Sequence, residues 1–145
     1  MKRSYRLPLF FVLALSIIGM PSLRAGWLQE DIPVCTDANA QQGVHISPDG
    51  TGGTIVAWQD ARNADVYAQR YDVSGAALWT PNGVNVSDMA GTQKFPRIVA
   101  DGTGGAFIIF ESDMPSSCVS GGLSVVVVTK LDAGAPLRWR QATYR

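Results

Sequence analysis

Asp49-Gly50-Thr51-Gly52-Gly53 and the run behind it, Thr54-Ile55-Val56-Ala57-Trp58, decide the fold, because the five-residue turn returns as Asp101-Gly102-Thr103-Gly104-Gly105. The offset is 52 residues (49 to 101). The flanks keep it: Val34 answers Val86, Gln41 answers Gln93, Ile46 answers Ile98 and Trp58 answers Phe110. Further along, Asp72…Leu78-Trp79 answers Asp132…Arg138-Trp139 at an offset of 60 (72 to 132), so an insertion separates the copies, read as a Ser/Gly/Pro-rich loop over residues 112–122. Self-similarity at a fixed period is the signature of repeat architectures.

Each copy reads as strands. Asp-Gly opens a turn, and the glycines after it tolerate positive φ. Thr54–Trp58 and Ala106–Phe110 are short, almost continuous apolar runs bounded by glycine and charge, which favours strands over helices. Apolar residues on both faces of a strand require cover on both faces. Val66–Tyr71 matches Val126–Leu131, and the four valines 125–128 favour β strongly. Ser74-Gly75 then turns the chain into Ala76–Trp79, and Pro81-Asn82-Gly83 turns it into Val84–Val86. The expectation is an all-β fold of two four-stranded units, each the size of a propeller blade, and hence an incomplete β-propeller.

The 145-residue chain is at most one ordinary domain. It is 46% hydrophobic, too apolar for disorder. Twelve basic residues balance twelve acidic ones, so charge gives no pull towards nucleic acid or an anionic membrane. Fifteen glycines, mostly clustered between apolar runs, suit many tight turns.

Ahead of the repeats, Lys2, Arg3 and Arg6 precede the apolar run 7–20, and Ala25 supplies a small residue at a cut. This is the order of a secretory signal peptide. The run of 14 residues is shorter than the roughly 20 that span a bilayer, which favours cleavage over anchoring. The chain therefore divides into a leader (1–25), a linker (26–33), repeat 1 (34–86), repeat 2 (87–139) and a tail (140–145). The expected location is secreted, periplasmic or at the cell surface.

The motif series Asp-Gly-x-Gly-Gly, Trp58-Gln59-Asp60-Ala61-Arg62, Asp65-Val66-Tyr67-Ala68-Gln69-Arg70, Gly75-Ala76-Ala77-Leu78-Trp79 and Asn82-Gly83 resembles tandem repeats of large secreted bacterial proteins with propeller-like ectodomains. The resemblance spans about Val34 to Trp139. Copy two keeps the glycine turn and Leu137…Trp139 but lacks the Trp-Gln-Asp-x-Arg and Tyr-Ala-Gln-Arg parts. The turn is also loosely similar to the Asp-box of sialidase-type propellers, in a different residue order. The resemblance implies export and a repeat β-fold, and no reaction. Closed propellers use roughly four to eight blades, and two units fall short. A truncated reading frame, or self-association through exposed repeat faces, is the expectation.

Residues with chemistry are few. Cys35 and Cys118 form an even pair in an exported chain and are a disulfide candidate. Their bridge would close a loop of 83 residues (35 to 118), worth roughly 4–5 kcal/mol in the chain-entropy model. His45, the only histidine, lacks partners for a zinc site or a nucleophile relay and reads as a surface or turn residue. Asp49 and Asp101 read as Asx-turn residues rather than Ca²⁺ ligands, with one carboxylate per loop. Asp60, Asp65, Glu111 and Asp113, beside Arg62 and Arg70, read as strand-end ion pairs rather than a glycosidase pair. Trp58, Trp79, Trp139, Tyr67 and Tyr71 read as core packing rather than a sugar-stacking face. Asn85-Val86-Ser87 fits a glycosylation sequon, relevant only in a eukaryotic host. No catalytic residue, metal or cofactor is expected. The expected partner is a protein or glycan, without nucleic acid and without a membrane span after cleavage. The functional expectation is a non-enzymatic exported module for binding or display, or else a fragment of a glycoside-acting propeller.

The exported protein is expected to begin at Gly26 by N-terminal sequencing, and an intact Met1 on exported protein would contradict the leader.

Overall fold

The computed structural model describes residues 31–87, 89–114, 123–135 and 142–143. The leader with its cut at Ala25, Cys118 and Trp139 lie outside the described residues. The fold is all-β, with no helix among the described residues. Two antiparallel meanders follow one another. The first is β1 (Gln41–Pro48), β2 (Thr54–Asp60), β3 (Asp65–Tyr71) and β4 (Val84–Asn85). The second has three long strands, β5 (Thr92–Ala100), β6 (Ala106–Met114) and β7 (Leu123–Leu131), with the two-residue β8 (Ala142–Thr143) at its edge.

The repeat extends to fine geometry. The β1–β2 ladder shifts register between Gln42 and His45, and the β5–β6 ladder between Lys94 and Arg97, 52 residues later. Each shift holds a left-handed residue, Gly43 (φ 62) in the first sheet and Phe95 (φ 54) in the second. A bulge must turn the backbone there, and phenylalanine does so against its steric preference. The last strands correspond too. β4 pairs at Tyr67 and Ala68, and β8 pairs at their counterparts Val127 and Val128.

Three boundaries differ from the sequence reading. First, each unit opens with a strand before the glycine turn, β1 or β5, whose mixed sequence (QQGVHISP in β1) hides its period behind the bulge. Conversely, Ala76–Trp79 is no strand: it makes a single bridge, Tyr71 to Ala77. Its role is to carry Trp79 over the sheet edge. Second, residues 112–114, placed in the loop, end β6, because they still pair with 123–125 of β7. Third, the stretch read as a tail contains β8.

The alternation of side chains gives each sheet two apolar faces. On the front of sheet 1 lie Ile46, Val56, Trp58, Tyr67 and Tyr71. On its back lie His45, Ile55, Ala57, Val66 and Ala68. The back of sheet 1 joins Ile98, Ile108, Phe110, Val125, Val127 and Leu131, the front of sheet 2, in one core. Ile55, Ala57, Val66, Ala68, Ile108 and Val127 are wholly buried there. Burying each larger aliphatic is worth about 1.5–3 kcal/mol, so this sheet-on-sheet contact is the main cohesive term. Trp79 and Val86 complete it from the segment leading into sheet 2. The front of sheet 1 forms a second cluster, partly covered by Ile32, Val34 and Cys35.

The two glycine turns touch. Gly104 N donates to Asp49 O at 3.0 Å. A Cβ on Gly50 would lie 2.6 Å from Gly102 Cα, whereas a Cβ on Gly102 would meet nothing within 4 Å. Both glycines are left-handed (φ 78 and 82). Alanine at either position therefore costs about 1–2 kcal/mol for the backbone conformation. Gly50→Ala should cost about 1–3 kcal/mol beyond Gly102→Ala, because only it forces the turns apart. Urea unfolding of the two variants measures the difference.

Candidate functional site

The motif residues of unit 1 meet at one corner. Trp58 and Asp60 alternate onto one face of β2, so the indole Nε1 donates to Asp60 Oδ2 at 2.9 Å. The chain turns after Asp60, and Arg62 N donates to Asp60 Oδ1 at 3.0 Å. The Arg62 guanidinium folds back onto Asp60 Oδ2 at 2.7 Å and donates to Asn82 O at 2.8 Å. It lies 3.8 Å over the Tyr67 ring, a cation–π contact. Asn82 in turn accepts from Thr36 N and Oγ1. Gly83 is there because a Cβ would strike the Trp58 ring at 2.4 Å.

A second constellation ties the units together. Asp49, fully buried, accepts from Thr51 N (2.7 Å), Thr51 Oγ1 (2.7 Å) and Gly53 N (2.8 Å). Arg70 completes its shell through Nε at 2.9 Å, and reaches unit 2 through Nη1 to Ala133 O at 3.0 Å. Trp79 Nε1 donates to the same carbonyl at 3.2 Å. Asp101 builds the same turn with Thr103 and Gly105, and Lys130 takes the part of Arg70, more loosely, at 3.5 Å. Both aspartates thus form Asx turns.

Electrostatics follow from these bonds. Burial alone would raise the Asp60 pKa, but donation from Arg62 and Trp58 outweighs it and holds the carboxyl at about 2. Asp49 behaves alike: burial opposes ionisation, and the bonds from Thr51, Arg70 and Gly53 drive its pKa still lower.

Other residues singled out from sequence resolve as follows. Cys35 Sγ lies 3.5 Å from an Arg62 nitrogen and 3.8 Å from Asp60 Oδ2, while its candidate partner Cys118 is outside the described residues. His45 is on β1, half-buried, and its Nδ1 accepts from Ile98 N at 3.4 Å, so it caps the edge of β5 rather than sitting in a turn. Asp65 accepts from Asn85 Nδ2 at 2.7 Å, which ties up the sequon nitrogen, and Ser87 is buried. Asp113 pairs with Lys94 and accepts from Ser124. Trp58, Trp79, Tyr67 and Tyr71 are all buried, which excludes them as a stacking face. Gln69 and Gln93 carry structural roles that the motifs do not announce. Gln69 bonds Trp79 N and Thr80 O, and Gln93 accepts from Val66 N and donates to Met89 O. The recurrence of glutamine at 41 and 93 was the only signal for the latter.

Unit 2 lacks the corner. Phe110 and Ser112 stand where Trp58 and Asp60 do, and Ser112 Oγ is buried without a partner among the described residues. Beside the unit 1 corner lies a cavity of about 180 Å³, lined by Val34, Cys35, Gln41, Val44, Val56 and Trp58. Its lining is mostly apolar and holds no carboxylate. Among the described residues no group of three or more His, Cys, Asp or Glu is placed to hold a metal ion. Among them, too, no helix is long and apolar enough to cross a membrane.

A depressed carboxyl pKa stabilises the fold above the unfolded value near 4 and is lost as pH falls through the folded value. Stability should therefore be level above about pH 5 and drop between about pH 4 and 2, by about 2 kcal/mol for Asp60 alone. Asp60→Asn should cost about 2–3 kcal/mol at neutral pH, by stranding Arg62, and flatten the acid limb. Urea titrations across that pH range check both. No family model, no curated protein and no solved structure matches this chain.

Proposed function

We propose that the chain is an exported, non-enzymatic β-repeat module of two propeller-blade-like units that binds or displays at the cell envelope. One observation carries this reading. The charged and aromatic residues of the repeat motif, the residues that could have done chemistry, are spent on the internal structure of unit 1 and its join to unit 2. Asp60 serves Trp58 and Arg62, Asp49 serves its own turn and Arg70, and Asp65 serves Asn85. A hydrolase of glycosides needs two carboxyls facing a sugar, about 5–9 Å apart. Here the buried carboxylates point into protein, and their low pKa values suit permanent anions rather than a proton donor.

Export rests on the leader, and the blade reading on the meander, the turn and the matching bulges. The second reading, a fragment of a sialidase-like or other glycoside-acting propeller, draws on Glu111, which is exposed on β6. Incubation with aryl glycosides, sialosides included, discriminates the two. The module should leave hydrolysis at the buffer rate. Turnover that vanishes in Glu111→Gln, with a far-UV spectrum matching the wild type, would instead establish the glycosidase reading.

A further inference from the structure

The molecule contains its own template for a contact that, among the described residues, is left unmade on the front of sheet 1 and the back of sheet 2. The back of sheet 1 is sealed against the front of sheet 2. At the repeat offsets, the back residues Ile55, Ala57, Val66 and Ala68 correspond to Phe107, Ile109, Val126 and Val128 on the back of sheet 2. In sheet 1 all four are fully buried, whereas in sheet 2 Phe107, Ile109 and Val126 are 43%, 40% and 51% exposed. Between them runs an open groove of about 270 Å³, lined by Arg97, Ile98, Val99, Phe107, Ile109 and Val128.

The opposite end shows the complement. Pro96 and Ile98, on β5, are buried, Ile98 in the core shared with sheet 1. Their counterparts on β1, Val44 and Ile46, are each 63% exposed. The segment Ile32–Cys35 covers only part of the front of sheet 1, just as its counterpart Val84–Ser87 covers only part of sheet 2. The cavity beside Val44, Val56 and Trp58 is what remains uncovered.

The polar fittings repeat as well. Gln59 Oε1 accepts from Phe95 N across the unit boundary at 3.2 Å, and Glu111 holds the corresponding place on the open back. Arg70 bridges to unit 2, and Lys130, its counterpart, lies half-exposed. Two fittings are lost: His45 and Ser47, which accept from Ile98 N and Ala100 N, become Arg97 and Val99.

We propose that the back of sheet 2 docks the front of sheet 1 of a second copy, reproducing between chains the contact made within one. The interface joins Val99, Phe107, Ile109 and Val126 of one protomer to the surface around Val44, Ile46 and Val56 of its partner. It is heterologous, so it propagates until the rotation closes. Propeller geometry, at four to eight blades, closes it at about two to four copies. The proposal rests on the repeat reading for the equivalence of the faces and on no ligand, so a chain that binds a glycan as a monomer would sink it and leave the module reading intact.

Complementary variants test it. Ile109→Lys spoils one end and Ile46→Lys the other, both at exposed positions where a charge is tolerated in the free chain. Sedimentation velocity of the full chain should show concentration-dependent association. Each variant alone should weaken it about 100-fold or more, because a lysine would be buried unpaired. An equimolar mixture of the two retains one intact interface and should form a discrete heterodimer. Val126→Lys and Val44→Lys form a second pair, and far-UV spectra matching the wild type establish that each variant is folded. A wild-type chain monomeric up to about 1 mM overturns the proposal. So does association unchanged in either variant, or a mixture of folded variants that stays monomeric.

Discussion

A β-sheet that is apolar on both faces cannot stand alone in water. Every strand of the long inner pair in each unit carries such residues on both sides, and hiding them is the condition the rest of the structure answers to. The contact between the back of sheet 1 and the front of sheet 2 meets half of it. Ile55, Ala57, Val66 and Ala68 are fully buried on one side of that contact, and Ile108 and Val127 on the other. The front of sheet 1 is met in part by the segment from Ile32 to Cys35. The turns, bulges and ion pairs serve to set the distance and angle at which the two sheets meet.

Arg70 illustrates how polar groups fix what apolar contact leaves loose. Burial of large surfaces is non-directional. A guanidinium that must satisfy Asp49, Thr51 and Ala133 O together admits one placement of the second unit. The buried charge is tolerated because Asp49 is supplied with donors from its own turn before the arginine arrives. Lysine at the same place in unit 2 makes longer contacts with Asp101 and Asp132.

Much of this was legible in the residues. The glycine turn located the repeat, and the runs after it located β2, β3, β6 and β7. The Asx role of Asp49 and the core role of the aromatics followed from composition and spacing. The opening strands were not legible, because a bulge after Gln42 breaks the alternation that identifies a half-buried strand, and because Gln, Gly and His dilute its apolar content. Ala76–Trp79 misled in the opposite direction: an apolar stretch behind a turn looks like a strand, yet here it serves to place one indole. The corner around Asp60 was visible as a motif but not as a structure. Its members are Trp58, Arg62, Tyr67 and Asn82, and nothing in one dimension says that an arginine two residues on folds back over a tyrosine five further along. The single histidine, read as idle, terminates a backbone edge.

Pro48 closes β1 at the place where β5 has Ala100, and the substitution removes one backbone donor from the edge strand of sheet 1. Unprotected rails recruit foreign strands and seed fibrils. With this one interrupted by an imino acid and kinked by the Gly43 bulge, lateral zippering of chains into amyloid is disfavoured, and the protein can carry sticky flat surfaces without polymerising through its hydrogen-bonding margin.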